Sequence, residues 1–499
     1  MVDTPADNAT KNPSQPQSSS GMHKPGDIII DEIILNTVTG VAIDLKPFFV
    51  EINLYEDMFS PTLQGNVIIR DSVNLIGRTP IVGDEIITIN VRTPFQEIPA
   101  QDDYFNKIHK SFSVYAIKDR KLNNDREQYY QLFFCSIEAS ADNVYRVCEK
   151  FTGTTSELAD KIFSDYLAIP RIVTSKETLQ FDPKSDKNTP LFISDTPHES
   201  HITFVPPMWT PIHCLNWLAK RSIGANFKSP TYLFYETTKA FYFASIESLV
   251  VTQLQENSIF CDYVYHPNLN DLQTGSALSR GYSTVEAIQF LTNLDVFHSQ
   301  DLGHFASTVF SFDMVKKEYT AYTYDHGFNF NEFNHMEDYK ITGDGKTEGT
   351  FALDKEKKYN MLFPINVLRS GEGKMFISTV NPGVLDSTED SVDLHPETFI
   401  PQRNSALMDI TTLRLQLTVS GRTDIEVGKL IKFYYPSVGE KPQDTSESFV
   451  WDLLISGLYM VTAIHHQITP LSHKMFLEIA KDSYSFPLYD VEETGGPAS

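Results

Sequence analysis

One phrase is written twice in this chain, and a chain that repeats a strand-and-turn signature in order is constrained to build the same small unit twice. Residues 77–89, GRTPIVGDEIITI, return as residues 421–433, GRTDIEVGKLIKF, with one residue inserted. A second echo follows each copy, FSVYAI at 112–117 and YMVTAI at 459–464. The phase is nearly kept, with 31 positions from Gly83 to Val114 and 33 from Gly428 to Val461. A single glycine-bearing hairpin match means little, because such turns are common. Two matches in order and in phase imply a duplicated domain. Gly77, Gly83, Gly421 and Gly428 flank apolar strands, where glycine supplies positive φ or a close backbone approach. The expectation is that they occupy equivalent positions in the two copies and serve backbone geometry, with no ligand.

The rest of the chain fits around that repeat. Residues 1–26 are rich in Pro, Ser, Gln and Asn and are expected to form a flexible arm. From 27 to 140, strand-like runs at 48–55, 65–70, 86–91, 112–117 and 129–137 read as a first small antiparallel barrel, with a turn at Ser60-Pro61 and a loop at 123–125. Residues 141–337 read as a mixed α+β middle. Thr154 with Glu157 makes a capping box for a helix burying Leu158, Ile162, Phe163 and Leu167, and Pro170 ends it. Thr210 with Pro211 starts a second helix, and residues 232–236 and 241–243 form a hairpin. Ser283 with Glu286 is expected to cap a third helix through Ile288, Leu291 and Leu294, followed by strands at 305–312 and 319–324. Residues 338–397 read as a loop-rich insertion, 398–487 as the second barrel, and 488–499 as a flexible tail. The fold class is therefore α+β, mainly β: two homologous small antiparallel β-barrel domains separated by a mixed middle region.

Chemistry is sparse. The chain has 65 acidic and 41 basic residues, a formal charge of −24, which argues against a nucleic-acid-wrapping surface. Cys135, Cys148, Cys214 and Cys261 share no paired spacing and read as buried, reduced thiols of a protein folded in a reducing cytosol. No apolar run approaches a membrane span, and no secretory signal is evident. His198-Glu199-Ser200-His201 lacks the spacing that places two imidazoles on one helical face, and nearby prolines oppose a helix. His466 and His473 can face one another across a hairpin as a polar pair. No serine-nucleophile elbow, phosphate-cradling loop or kinase signature occurs, so no catalytic, metal-binding or cofactor-binding residue is assigned. Trp209, Trp217 and Trp451 suit sugar stacking, but Trp217 on an apolar helix reads better as a packing anchor. A carbohydrate-binding module and a wall hydrolase using a carboxylate pair stand as the rival functional classes.

Read whole, the second copy resembles the central baseplate hub proteins of contractile-tailed bacteriophages. The resemblance is carried by residues 421–428, by Ser456-Gly457-Leu458-Tyr459 through His466, by His473-Lys474-Met475 and by Ala480-Lys481-Asp482-Ser483. Pro206-Pro207-Met208-Trp209, Asn216-Trp217-Leu218-Ala219 with Arg221, residues 232–236, and residues 54–63 look like the same family's central and early motifs. Gly77, Gly83, Trp209, Trp217, Gly421, Gly428, Gly457 and Tyr459 are its structural positions here. The resemblance implies a non-enzymatic homotrimer in which two barrels per chain form a pseudo-sixfold ring. One face would meet the tail tube and the other a threefold spike, with baseplate wedge proteins around it, no cofactor and no membrane insertion. It implies a place in the virion tail baseplate, assembly in the host cytoplasm, and transient passage of DNA, which acids lining the ring would repel. The arm at 1–26 and residues 338–397 have no counterpart in the resemblance.

Overall fold

The structure is a computed structural model. It describes residues 24–94, 107–168, 190–194, 201–265, 281–337, 374–380, 399–437 and 451–484, apart from positions 80, 125, 228, 293–294, 314–316 and 453, together with short strands at Val173–Ser175 and Thr178–Gln180. Most of the arm, most of residues 338–397, His198 to Ser200, Pro170 and the tail lie outside the described residues.

The first strand system comprises β1 (Ile29–Asn36), β2 (Phe49–Asp57), β3 (Gln64–Asp71), β4 (Ile86–Arg92), β5 (Lys107–Asn124) and β6 (Glu127–Ser136). Their order across the sheet is β1-β4-β5-β6-β3-β2, and every pairing is antiparallel. Strand β6 shows why the sequence folds this way. Gln128, Tyr130, Leu132, Phe134 and Ser136 are buried while their neighbours are half-exposed, the period of two that a pleat requires. Leu35, Val67, Ile87, Val114, Leu132 and Phe134 fill the core behind it. Each such side chain contributes about 1.5–3 kcal/mol on burial.

The middle has its own core. Helix α1 (Thr155–Ile162) begins at the expected capping box, with Glu157 N–H on Thr154 Oγ1 at 3.3 Å and Thr154 N–H on Glu157 Oε2 at 3.0 Å. Helix α2 (Pro211–Ala219) is capped by Thr210, which accepts from His213 N–H at 3.4 Å. Strands β7 (Tyr232–Glu236) and β8 (Phe241–Ser245) form the expected hairpin, and helix α3 (Ile246–Gln255) follows. Phe163, Leu215, Leu218, Phe234, Phe241 and Phe243 pack between these elements.

The second system contains β9 (Asp262–Tyr265) and β10 (Thr284–Thr292). A further sheet intervenes, made of β11 (Ala306–Asp313), β12 (Glu318–Asp325) and β13 (Lys374–Val380), with β11 at its centre. Helix α4 (Ile400–Thr412) then leads into β14 (Leu413–Ser420), β15 (Leu430–Tyr434), β16 (Gly457–Ile468) and β17 (His473–Lys481). The order β9-β15-β16-β17-β14-β10 closes on itself through a β9–β10 ladder, making a six-stranded barrel. Leu415, Leu417, Ile431, Phe433, Val461 and Leu477 line its interior. Residues 398–487 thus supply four strands of the ring, and residues 262–292 supply two.

Three expectations meet a different structure. Where a helix is predicted from Ser283 through Leu294, Thr284–Thr292 is a strand: β10 pairs antiparallel with β14, Ile288 opposite Leu417 and Val285 opposite Val419. Its Thr284, Val285, Ile288 and Thr292 are β-branched and suit a pleat, and the unsatisfied edge of β14 outweighs a local capping signal. Strand β13 lies within the stretch read as loops, in parallel register with β11. Cys148 is exposed, although all four cysteines are free thiols.

Candidate functional site

Parts of the written repeat take the same local form in both copies. Gly83 and Gly428 both adopt left-handed backbone, φ +96° and +86°, just ahead of the pairing strand. Beyond them Ile86 lies opposite Ser113, as Leu430 lies opposite Met460. Val114 N–H donates to Glu85 O at 2.8 Å, and Val461 N–H donates to Lys429 O at 2.9 Å. Each long strand then bulges at the same point of the echo, between Val114 and Ala116 in β5 and between Val461 and Ala463 in β16. A bulge re-aims a strand and sharpens its twist. The chain order matches too: β1, β2, β3, β4, β5 and β6 occupy the places in the first sheet that β9, β10, β14, β15, β16 and β17 occupy in the second. Two pairings differ: β4 runs antiparallel to β1 while β15 runs parallel to β9, and the parallel β9–β10 ladder that closes the second sheet has no β1–β2 counterpart among the described residues.

The two systems are joined by one strand. The first part of β16 pairs with β15, and its second part, Ala463 to Ile468, pairs with both β17 and β2. Ile468 packs into the first core and Met58 into the second. Across the seam Tyr55, His465 and Phe476 stack on three adjacent strands, with ring centroids 4.5 and 5.2 Å apart. His465 Nε2 meets Asn53 Oδ1 at 2.7 Å.

The tip of the β7–β8 hairpin is buried against both systems. Glu236 takes the Lys110 ammonium on one oxygen, and on the other Ser136 Oγ and, at 2.9 Å, Leu63 N–H. Lys110 and Ser136 lie in β5 and β6, so the tip is tied to the first system. Thr237 Oγ1 donates to Glu426 Oε2 at 2.8 Å, inside the second copy of the repeated phrase. Lys239 donates to Lys107 O and, at 3.3 Å, to Thr423 O. Thr93 and Thr423 close the contact with reciprocal backbone-to-hydroxyl bonds of 3.1 Å each. Glu56 lies in the same knot, and burial pushes its carboxyl up to about 7 against the opposing pull of Lys239 and Lys110. Burial raises Glu426 as well.

The histidine pair expected across the last hairpin forms: His466 Nδ1 and His473 Nε2 are 3.1 Å apart, both rings buried. Burial holds His466 at about 3 and His473 well below the usual imidazole range, each lowered further by a neighbouring imidazole. Gly421 packs beneath this pair, where a Cβ would fall 2.1 Å from the His473 ring. Gly77 sits instead in a one-turn helix, Leu75–Arg78, against Asn74. Gly457 adjoins Glu337, and Tyr459 is buried with its hydroxyl on Ile455 O. Trp217 stacks on Phe204 at 4.3 Å and lies under the Arg221 guanidinium, and Trp209 packs beside it, so both are anchors of the middle core. His201 lies in a strand, His201–Phe204. Sequence reasoning missed the hairpin-tip knot, because Glu56, Lys110, Glu236, Lys239 and Glu426 are far apart in the chain. Its one local signal was Glu236-Thr237-Thr238-Lys239, a polar turn whose every residue is buried.

No protein-family model and no curated sequence matches the chain. Solved structures are similar to it over nearly its full length. They include the tail protein from Neisseria meningitidis MC58, at 8% identity, covering 90% of this chain and 96% of that one, TM-score 0.47. The 43 kDa tail protein of prophage MuSo2 from Shewanella oneidensis matches at 9% identity, 90% and 98% coverage, TM-score 0.44. An E. coli component of the type VI secretion system, described as similar in structure to T4 tail proteins gp27 and gp5, matches at 8% identity, 92% and 78% coverage, TM-score 0.32.

Proposed function

We propose that this chain is a structural component of a contractile phage tail, the hub that adapts a sixfold tail tube to a threefold central spike. The observation that carries the reading is the repeat: the same strand order, the same left-handed glycine and the same bulge occur in two six-stranded units of one chain. Two homologous units per chain would let three chains present six similar units to one partner while keeping threefold periodicity toward another. The buried hairpin tip supports the same reading, since a ring of six equivalent units needs the two units of each chain held at a fixed relation. The stretches that resemble hub-family motifs are spread through most of the chain. In this role the protein acts by geometry and has no catalytic step, and the acidic surplus keeps passing DNA from adhering. Native mass spectrometry tests it. A species of three chains is expected, and a strictly monomeric protein that binds glycans, or one whose wall-degrading turnover is lost on a single Asp or Glu substitution, overturns it.

A further inference from the structure

Away from the junction, three side chains from separate elements meet in the interior. His304 precedes β11, His326 follows β12, and Asp409 lies on α4; all three are buried. His304 Nε2 is 2.8 Å and His326 Nε2 is 3.3 Å from the same oxygen, Asp409 Oδ1, and the imidazole centroids are 4.9 Å apart. Nothing in the sequence announces this set, because its members are 22 and 83 positions apart.

Ser405 lies one turn before Asp409 on the same face of α4. Its hydroxyl is 2.9 Å from His304 O and 2.7 Å from His326 Nδ1, which holds the His326 ring with Nε2 toward Asp409. The Nε2 atoms of the two imidazoles and an oxygen of Asp409 thus converge in the interior, and ligand atoms of the three residues lie within 4.8 Å of one another.

We propose that His304, His326 and Asp409 form a binding site for a divalent transition-metal ion, Zn²⁺ by ligand type, which fastens the inserted β11–β12–β13 sheet to α4. Two imidazole nitrogens and one carboxylate oxygen are a borderline-soft set suited to Zn²⁺. Metal–ligand bonds of about 2.0–2.1 Å in a tetrahedron imply ligand separations of about 3.3 Å. The His326–Asp409 pair stands at that spacing already, and His304 needs to withdraw slightly as its proton shifts from Nε2 to Nδ1. The Ser405 hydroxyl is the outer partner that orients a ligating histidine. The fourth position opens on a cavity lined by Tyr324, His326, Asp409, Glu247 and His335, with room for a water.

The test uses the full chain, stripped with a chelator and then titrated with Zn²⁺ or Co²⁺. One ion per chain is expected, with the visible absorption of four-coordinate Co²⁺ and a higher melting temperature. Asp409→Asn should abolish uptake, Ser405→Ala should weaken it about 10–100-fold, and His298→Gln, at an exposed histidine outside the cluster, should leave it unchanged. If Asp409→Asn fails to fold, the Co²⁺ spectrum of the wild type and the Ser405→Ala affinity decide. A wild type that takes up neither ion overturns the proposal. Uptake unaffected by Ser405→Ala overturns it equally.

Discussion

The buried pair of Lys110 and Glu236 gives the sharpest test of how the hairpin tip holds the molecule together. The Lys110 and Glu236 side chains are 7% and 0% exposed, so neither charge is screened by water. Glu236→Gln keeps the shape but leaves the ammonium uncompensated, and its amide must turn a donor toward either Lys110 or Leu63 N–H. Removing one partner of such a pair costs about 3–5 kcal/mol. Lys110→Met strands the carboxylate instead and falls in the same range of about 3–5 kcal/mol, softened by the bonds from Leu63 and Ser136. The double variant removes both charges, so its cost should fall short of the sum by about 2–3 kcal/mol. Denaturant unfolding at pH 7, followed by Trp fluorescence and far-UV circular dichroism, measures all four corners of the cycle. Additive losses, or single variants within ~0.5 kcal/mol of wild type, refute the claim that charge pairing anchors the tip.

Glu56→Gln should stabilise the protein above neutral pH. The Glu56 carboxyl is raised by burial from 4.5 to about 7, so the unfolded chain ionises first and stability is lost as pH rises between those values; the variant should recover up to about 3 kcal/mol at pH 8, read as a shift in unfolding midpoint. His466 works in the other direction, since burial lowers it to about 3 and an imidazole kept neutral in the fold loses stability as pH drops below the unfolded value of about 6.5. Replacing His466 with Gln should therefore remove about 1.4 kcal/mol per pH unit from the acid slope between pH 6 and 4, measured against wild type. Gly428→Ala meets both a left-handed backbone and Tyr235 Oη at 2.7 Å, whereas at Gly40, φ +80°, a Cβ touches nothing within 4 Å. The former should cost about 2–4 kcal/mol and the latter about 1 kcal/mol, and equal losses in thermal denaturation would remove the packing argument.

Local signals were legible wherever one stretch of chain carried the whole instruction. The capping box at Thr154, the Pro211 helix start, the β7–β8 hairpin and the alternation in β14 each depend on a few neighbouring residues, and each appears where expected. The left-handed backbone at Gly83 and Gly428 was legible because each glycine sits inside a short echo. Residues 284–292 misled because Ser283 and Glu286 imitate a cap, while the partner that makes the segment a strand, β14, lies more than a hundred residues away. The hairpin-tip knot and the His304–His326–Asp409 cluster stayed hidden for the same reason: each draws single residues from distant elements, and nothing in their sequence spacing relates them.

The central claim is that two equivalent units per chain make six from three. Electron microscopy of the purified assembly, class-averaged without imposed symmetry, tests it directly. The account predicts particles of three 56.6 kDa chains that form a ring of six similar lobes with threefold symmetry. A ring of three lobes, a dimer, or particles whose two units per chain lie at unequal distances from the axis would contradict it.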